Sequence, residues 1–387
     1  MMRFLTAGES HGSALTTIIE GLPANLPLDE AAINRELVRR QQGYGRGDRM
    51  KIEKDQIEVL AGLRFGRTIG SPLALRVCNR DYQNWQSEMA PFAEREQVRE
   101  KVTQPRPGHA DLPGALKYDL TDLRDVLERA SARETAVRVA VGAVAKQLLR
   151  EFDIQIYSYV QSIGSIAIKP LDTAILAANY EQVEKSPVRC PDEEAAKKMM
   201  AAIDYVKAEG DSLGGVFTVV ALGVPVGLGS HVQWDRRLDG RLAAALMSIQ
   251  AIKGVEIGDG FAVAAQQGSL VHDEIYYHSS KGYYRQTNHA GGLEGGITNG
   301  EAVIVRAAMK PIPTLTKPLR SVDMADHSPH TATVERSDAC AVPAASIVGE
   351  AVVAWELALA LREKLGGDSL AEMKENYHAY LKRVAKR

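Results

Sequence analysis

The chain has 387 residues, 45% hydrophobic and 25% charged, with a formal charge of −2, a profile able to bury a sizeable core and without a global pull toward nucleic acid. Aromatic residues, at 6%, offer little stacking surface for an RNA-binding module, and the widely spaced Cys78, Cys190 and Cys340 suggest neither a disulfide framework nor a cysteine metal site. The first residues run into a polar turn at Glu9 and Ser10 without the apolar core of a signal peptide, and no stretch reads as the ~20 apolar residues of a membrane span, so a cytoplasmic protein is expected.

Gly8 to Pro23, GESHGSALTTIIEGLP, places His11 in a glycine-flanked bend ahead of a β-branched strand. The pattern returns in Gly210 to Pro225, GDSLGGVFTVVALGVP, with every position displaced by 202 and no gap. Such self-similarity means a duplicated unit. Leu213 stands where His11 would be, so this motif alone explains the histidine as well by packing as by chemistry. Asp29 to Gln41 has helical spacing with Asp29 as cap, and Arg39 and Arg40 near its end lead into a glycine-rich loop, Gln41 to Lys51, carrying Arg46, Arg49 and Lys51. Clustered guanidiniums on flexible backbone suit a carboxylate or phosphate, or else form a solvated surface.

Gln56 to Phe65 and Ser71 to Val77 alternate as a hairpin, and Glu88 to Val102 reads as a surface helix. Gln104 to Gly114, QPRPGHADLPG, reads as an irregular stiff loop around Arg106 and His109. After the amphipathic Leu120 to Arg129, Ser131 and Glu134 have capping-box spacing before a buried helix, Thr135 to Leu149, whose N-terminus beside Arg129 and Arg133 suits an anion. The second half follows with irregular β over Ile154 to Ile168, a helix over Asp192 to Glu209 with Met199, Met200, Ile203 and Val206 inward, and an alanine-rich helix over Arg237 to Ile252. A glycine loop, Asn288 to Gly300, and a proline-stiffened segment, Lys310 to Pro318, complete the later loops. Glu335 to Ala339 echoes Glu128 to Ala132 at a displacement of 207, as Gly349 echoes Gly142, and Asp338 reads as the cap of a helix with Pro343 in its first turn that stops at Gly366 and Gly367. A last helix spans 369–385, and His327 with His330 lacks the further ligands a metal needs, so no metal is expected.

These readings predict one domain of two interlocked half-repeats, about 1–150 and 205–365. Its site would hold His11, His109, Asp338 and the arginines Arg40, Arg46, Arg49, Arg106 and Arg133, implying acid–base chemistry on a small polyanionic substrate. Gly8 to Gly12 has the G-x-S-x-G form of a hydrolase elbow, but a strand rather than a helix follows it.

GESHGSALTTIIEGLP, ERASARETAVRVAVGA and ERSDACAVPAASIVGEA closely resemble the three signatures of the chorismate synthase family. The resemblance implies an α+β sandwich, pseudo-twofold and duplicated, with helices packed between antiparallel sheets, assembled as a homotetramer. It implies the anti 1,4-elimination of phosphate from 5-enolpyruvylshikimate 3-phosphate to give chorismate, using reduced FMN without net redox change. By motif, His11 resembles the general acid toward the leaving phosphate, His109 the histidine near the flavin pyrimidine ring, and Asp338 the aspartate that helps deprotonate the flavin. Arg49, Arg106 and Arg133 resemble substrate clamps, while Arg129, Ala130, Ser131, Gln250, Ala251, Gly295, Lys310, Pro311, Ile312, Pro313, Thr314 and Arg336 resemble FMN-binding positions. Arg40 and Arg46 match positions assigned to NADP, although the same arginines could serve the substrate's phosphate. No Rossmann-type G-x-G-x-x-G follows a strand, which leaves open whether NADPH reduces the flavin on this chain or a separate flavin reductase does.

Overall fold

Two antiparallel sheets carry the two copies of the repeated stretch. The computed structural model describes residues 2–47, 52–92, 101–280, 282–335 and 338–387. In the first half, β1 (Arg3–Ala7), β2 (Ala14–Glu20), β3 (Ile57–Ala61) and β4 (Leu73–Cys78) form a sheet in the order β1-β2-β4-β3. In the second, β5 (Gln155–Ile163), β6 (Ile166–Ala167), β7 (Gly215–Leu222), β8 (Ile252–Ile257) and β9 (Val303–Met309) are ordered β8-β9-β7-β5-β6. Apart from the short β6, the chain visits corresponding strands in the same order. The likeness extends to single hydrogen bonds. Thr68 Oγ1 donates to Pro23 O (2.6 Å) and accepts from Leu26 N (2.9 Å), while Thr298 Oγ1 donates to Pro225 O (2.6 Å) and accepts from Leu228 N (2.8 Å).

Helices fill the space between the sheets. α1 (Glu30–Gln41), capped by Asp29, packs on α4 (Thr135–Arg150), which in turn backs β2 and β4; α6 (Leu238–Met247) packs on β8, and α7 (Val342–Leu365) backs β5 and β7. α4 and α7 are apolar and small-residued nearly all round, so each is buried on every side and they pack against each other in the centre. They meet closely: a Cβ built on Gly142 would lie 2.3 Å from Ala351 Cα. α7, at 24 residues, is long and apolar enough to cross a membrane, which corrects the expectation that no stretch qualifies; 89% of its apolar window is buried inside the protein as a core helix. α8 (Leu370–Val384) closes the chain with a capping box from Ser369 and Glu372.

Charge is buried at this centre too. Glu350 of α7, fully buried, receives both Arg39 nitrogens of α1 (2.8 and 2.9 Å), Lys146 of α4, Tyr180 Oη (2.8 Å) and Ser158 Oγ (2.5 Å). Burial opposes ionisation of Glu350, yet Arg39 and Lys146 hold its carboxyl well below the usual range. The network pins the last turn of α1, and with it Arg40.

Several local expectations change with tertiary context. The helix expected over Arg237 to Ile252 stops at Met247, because Ile252 already pairs with Met309 in the sheet. The loop from Gln104 ends sooner: α2 (Asp111–Tyr118) starts at Asp111, where Pro113 in the first turn costs no helical hydrogen bond. After α3 (Arg124–Ala130), Ser131 accepts from Arg133 N at 3.3 Å ahead of a 3₁₀ turn, but Glu134 accepts from Thr6 Oγ1 (3.0 Å) instead of closing a capping box. Ala341 occupies the cap position of α7, and Asp338 does not cap that helix. The surface helix α5 (Glu193–Ala208) is as expected, with Met199 and Ile203 fully buried, whereas most of the helix expected over Glu88 to Val102 lies outside the described residues.

Candidate active site

His11 sits in the turn between β1 and β2 with its ring fixed from two directions. Its Nδ1 lies 2.8 Å from Glu128 Oε1 and its backbone N–H donates to Glu128 Oε2 at 2.7 Å, so one carboxylate holds both the ring and the turn. The Trp85 indole stacks on the imidazole at 4.1 Å between centroids, and Arg124 lies over that indole. Burial works against ionisation of Glu128, but its hydrogen bonds to His11, His11's charge and Arg124 hold the carboxyl below the usual range.

The arginines converge next to this turn. Arg133 is buried, with Nη1 at 2.7 and 2.8 Å from the two Asp55 oxygens and Nε at 2.9 Å from Asn79 Oδ1. Arg40 Nη2 lies 3.6 Å from the same Asp55. Arg40 Nε and Nη2 and Arg133 Nη2 are buried without a hydrogen bond, a state that costs free energy unless an anion completes it. Burial, with Arg133 and Arg46 nearby, lowers the Arg40 pKa to about 10, which still leaves it charged at neutral pH. Arg46 Nη1 and Gly47 N both donate to Asp338, at 2.7 and 2.6 Å. Asn79 joins the two clusters: its Nδ2 donates to Glu9 O (3.1 Å) and Gly12 O (2.7 Å) in the His11 turn while its Oδ1 receives Arg133.

A third group comes from two distant loops. Arg106 grips Asp111 with Nε (2.9 Å) and Nη2 (3.1 Å) and reaches Thr314 Oγ1 with Nη1 (3.1 Å), so its fork orders the loop it belongs to. Thr314 Oγ1 also pairs with His109 Nε2 at 2.9 Å, and Lys310 Nζ donates to Gly108 O at 2.6 Å. Burial, aided by Arg106 and opposed by Asp111, lowers the His109 pKa to about 4, so the ring is neutral at physiological pH. Ser212 Oγ donates to Ile312 O (2.6 Å), tying Pro311 to Pro313 to the second repeat turn.

Of the residues expected for a flavin, Ala251 O accepts from Lys310 N (2.9 Å), which makes Gln250–Ala251 and Lys310–Thr314 neighbours. Arg138, in the first turn of α4, reaches Ser248 Oγ (2.7 Å) and sets the end of α6 beside the start of α4. Arg129 braces Thr6 and Gly8 through their carbonyls, each at 3.1 Å. The buried Oε1 of Gln250 and Nδ1 of His109 carry no hydrogen bond, as expected of polar atoms waiting for a ring with donors and acceptors. Gly295 is not part of this grouping. It tips a small hairpin beside His231, and the next residue, Gly296, accepts through its carbonyl from Leu238 N at the opposite end of α6, about 15 Å of helix away. Arg49 and Arg336 lie outside the described residues. A cavity of about 830 Å³ between the β5–β6 turn and the helices of residues 173–198 contains none of these groups, and the acid–base pair locates the site.

Residues 2–361 match the family model for chorismate synthase. The chain belongs to the chorismate synthase family. It is 62% identical over 374 residues to the chorismate synthase of Desulforamulus reducens, covering 97% of each chain, and 58% identical over 391 residues to that of Symbiobacterium thermophilum, covering both completely. A crystal structure of a chorismate synthase aligns with a TM-score of 0.82 at 49% identity, over 100% of this chain and 99% of the other, which agrees with the α+β architecture. Five residues of the site escaped the sequence reading: Glu128, Asp55, Asn79, Trp85 and Arg124. Only Glu128 carried a signal, as the first residue of the ERASA stretch echoed later.

Proposed function

We infer that this chain is a carbon–oxygen lyase that forms chorismate from 5-enolpyruvylshikimate 3-phosphate with release of phosphate. Family membership along nearly the whole chain carries the activity, and the structural observation that supports it most is Asn79, which couples the His11 turn to the Arg133 cluster. Arg40 and Arg133 hold the substrate's phosphate through nitrogens that make no hydrogen bond in the free protein, with Asp55 and Glu53 each 3.6 Å away. His11, protonated, gives its proton to the departing phosphate oxygen as the allylic C–O bond breaks. The ring C–H electron pair becomes part of the new diene, and the proton it leaves behind would be taken up by the bound reduced flavin, so atoms and charge balance without net oxidation. Because Arg40 is only 4% exposed and shares Asp55 with Arg133, we assign it to the substrate rather than to NADP.

The residues fit a reduced FMN on the strength of the unpartnered Gln250 and His109 atoms. Gln250, Ala251, Lys310 to Thr314 and the Arg129 to Ser131 stretch would hold it, and it would supply transient electron donation to the departing phosphate. Neutral His109 serves as a hydrogen-bonding partner there, not as an acid, and Asp338 is positioned by Arg46. Gly295 fits the same flavin only from a neighbouring copy, in keeping with a homotetramer. We place the enzyme in the cytoplasm, with a separate flavin reductase supplying the electrons. The test is an anaerobic assay of chorismate formation with photoreduced FMN, with oxidised FMN, and with FMN plus NADPH. Turnover is expected only in the first. Equal turnover with oxidised FMN overturns the flavin requirement, turnover with NADPH alone overturns the separate reductase, and no chorismate in any arm overturns the activity.

A further inference from the structure

We propose that Glu128 is the positioning residue of the reaction: it fixes the tautomer of His11 and sustains its imidazolium, so that Nε2 presents the proton to the leaving group. The inference rests on the reading of His11 as general acid and adds a second residue to it.

Two contacts from one carboxylate carry the proposal. Oε1 takes His11 Nδ1 and Oε2 takes the His11 backbone N–H, at 2.8 and 2.7 Å, so the carboxylate registers the ring against its own main chain. A carboxylate can only accept when ionised, which forces the hydrogen onto Nδ1 in the neutral ring and leaves Nε2 as the basic atom. Nε2 has no hydrogen-bond partner among the described residues, as a proton-delivering nitrogen requires. The Glu128 side chain is 3% exposed, so its charge is little screened by water. Trp85 blocks one face of the ring and prevents rotation away from Glu128.

Among the described residues, two other charged side chains lie beside the pair. Arg124, one helical turn before Glu128, lies 3.5 Å from Oε1 and is itself held at 2.8 Å by Glu335; it offsets part of the carboxylate's charge without displacing His11. Glu9 lies on the turn itself, its carboxylate beside Gly12. Asn79 shapes that turn without charge. Nothing about packing demands an acid at Glu128: a glutamine of the same shape would fill the space and serve a merely structural need.

The experiment therefore compares Glu128→Gln with wild type. If Glu128 positions and charges His11, turnover falls about 10²-fold or more. The alkaline limb of the turnover–pH profile moves to lower pH once the neighbouring carboxylate is lost, while the substrate Kd changes little. Histidine-labelled wild-type enzyme, free of substrate and flavin, gives an independent readout by ¹⁵N NMR: the neutral His11 ring is expected with its hydrogen on Nδ1. An unshifted limb in Glu128→Gln, or an Nε2–H tautomer in the wild type, overturns the proposal, and the second result does not depend on the variant folding. Full turnover in His11→Ala would instead remove the general-acid reading, leaving the NMR result to judge the pair by itself.

Discussion

Replacing Arg133 by methionine separates its structural duty from its duty to the substrate. The side chain is 3% exposed, its Nη1 contacts both oxygens of Asp55 at 2.7 and 2.8 Å, and its Nε contacts Asn79 at 2.9 Å. Without it, Asp55 keeps only Arg40, at 3.6 Å, as a nearby cation among the described residues. Removing one partner of a buried pair costs about 3–5 kcal/mol, so Arg133→Met should destabilise by that order in urea unfolding. The substrate effect comes from a different atom. Nη2 is buried and makes no hydrogen bond in the free protein, and one charge-assisted bond to phosphate is worth about 1.5–3 kcal/mol. At 1.4 kcal/mol per decade, affinity should fall roughly tenfold to over a hundredfold. The double variant Arg133→Met with Asp55→Asn removes one charge of each sign and should regain only part of the stability, because buried Arg40 then loses Asp55 and buried Glu53 has lost Arg133, but none of the affinity. Calorimetric titration with 5-enolpyruvylshikimate 3-phosphate in the presence of oxidised FMN measures binding without turnover. If the double variant, or a still-folded single variant, binds substrate within twofold of wild type, Arg133 belongs to the scaffold alone and the phosphate site must be sought elsewhere.

His11→Ala should lower turnover by about 10²–10⁴-fold with substrate affinity little changed, as read from kcat and from calorimetric binding. His109, whose pKa falls from 6.5 to about 4 on folding, should make stability pH-dependent in a definite window. The unfolded chain takes up the proton first, so its contribution is complete above about pH 6.5 and is lost as pH falls to about 4; unfolding of His109→Gln across that range should show a flatter profile. Gly142→Ala would place its Cβ 2.3 Å from Ala351 Cα, forcing α4 and α7 apart at a cost of about 1–3 kcal/mol or more, measurable as a lower Tm. Thr68→Ala and Thr298→Ala should each destabilise by about 1–3 kcal/mol and by similar amounts, since each threonine ties a hairpin through the same two buried bonds; a large effect at only one would mean the repeats have diverged in how they use that turn.

By itself the sequence determined whatever depends on neighbours along the chain. The repeated glycine turn and β-branched run announced β2 and β7, Asp29 announced the start of α1, Gly366 ended α7, and the small apolar runs announced two buried helices, because caps, turns and periodicity are short-range. The three signature stretches carried the family in the same way, since they are contiguous. The tertiary structure alone decided which charges meet. Glu134 has the spacing of a cap but bonds Thr6, and Asp338 has the place of a cap but bonds Arg46, each because a partner more than a hundred residues away competes successfully for a half-buried carboxylate. Asp55, Asn79 and Trp85 looked like ordinary loop residues and became parts of the site only when the sheet delivered them to Arg133 and His11. Arg106, expected as a substrate clamp, also holds Asp111, five residues along its own loop, a contact its spacing did not announce, because burying a guanidinium requires a partner. A sequence states which residues carry charge; burial, which decides what each charge must hold, comes only from the packed sheets and helices.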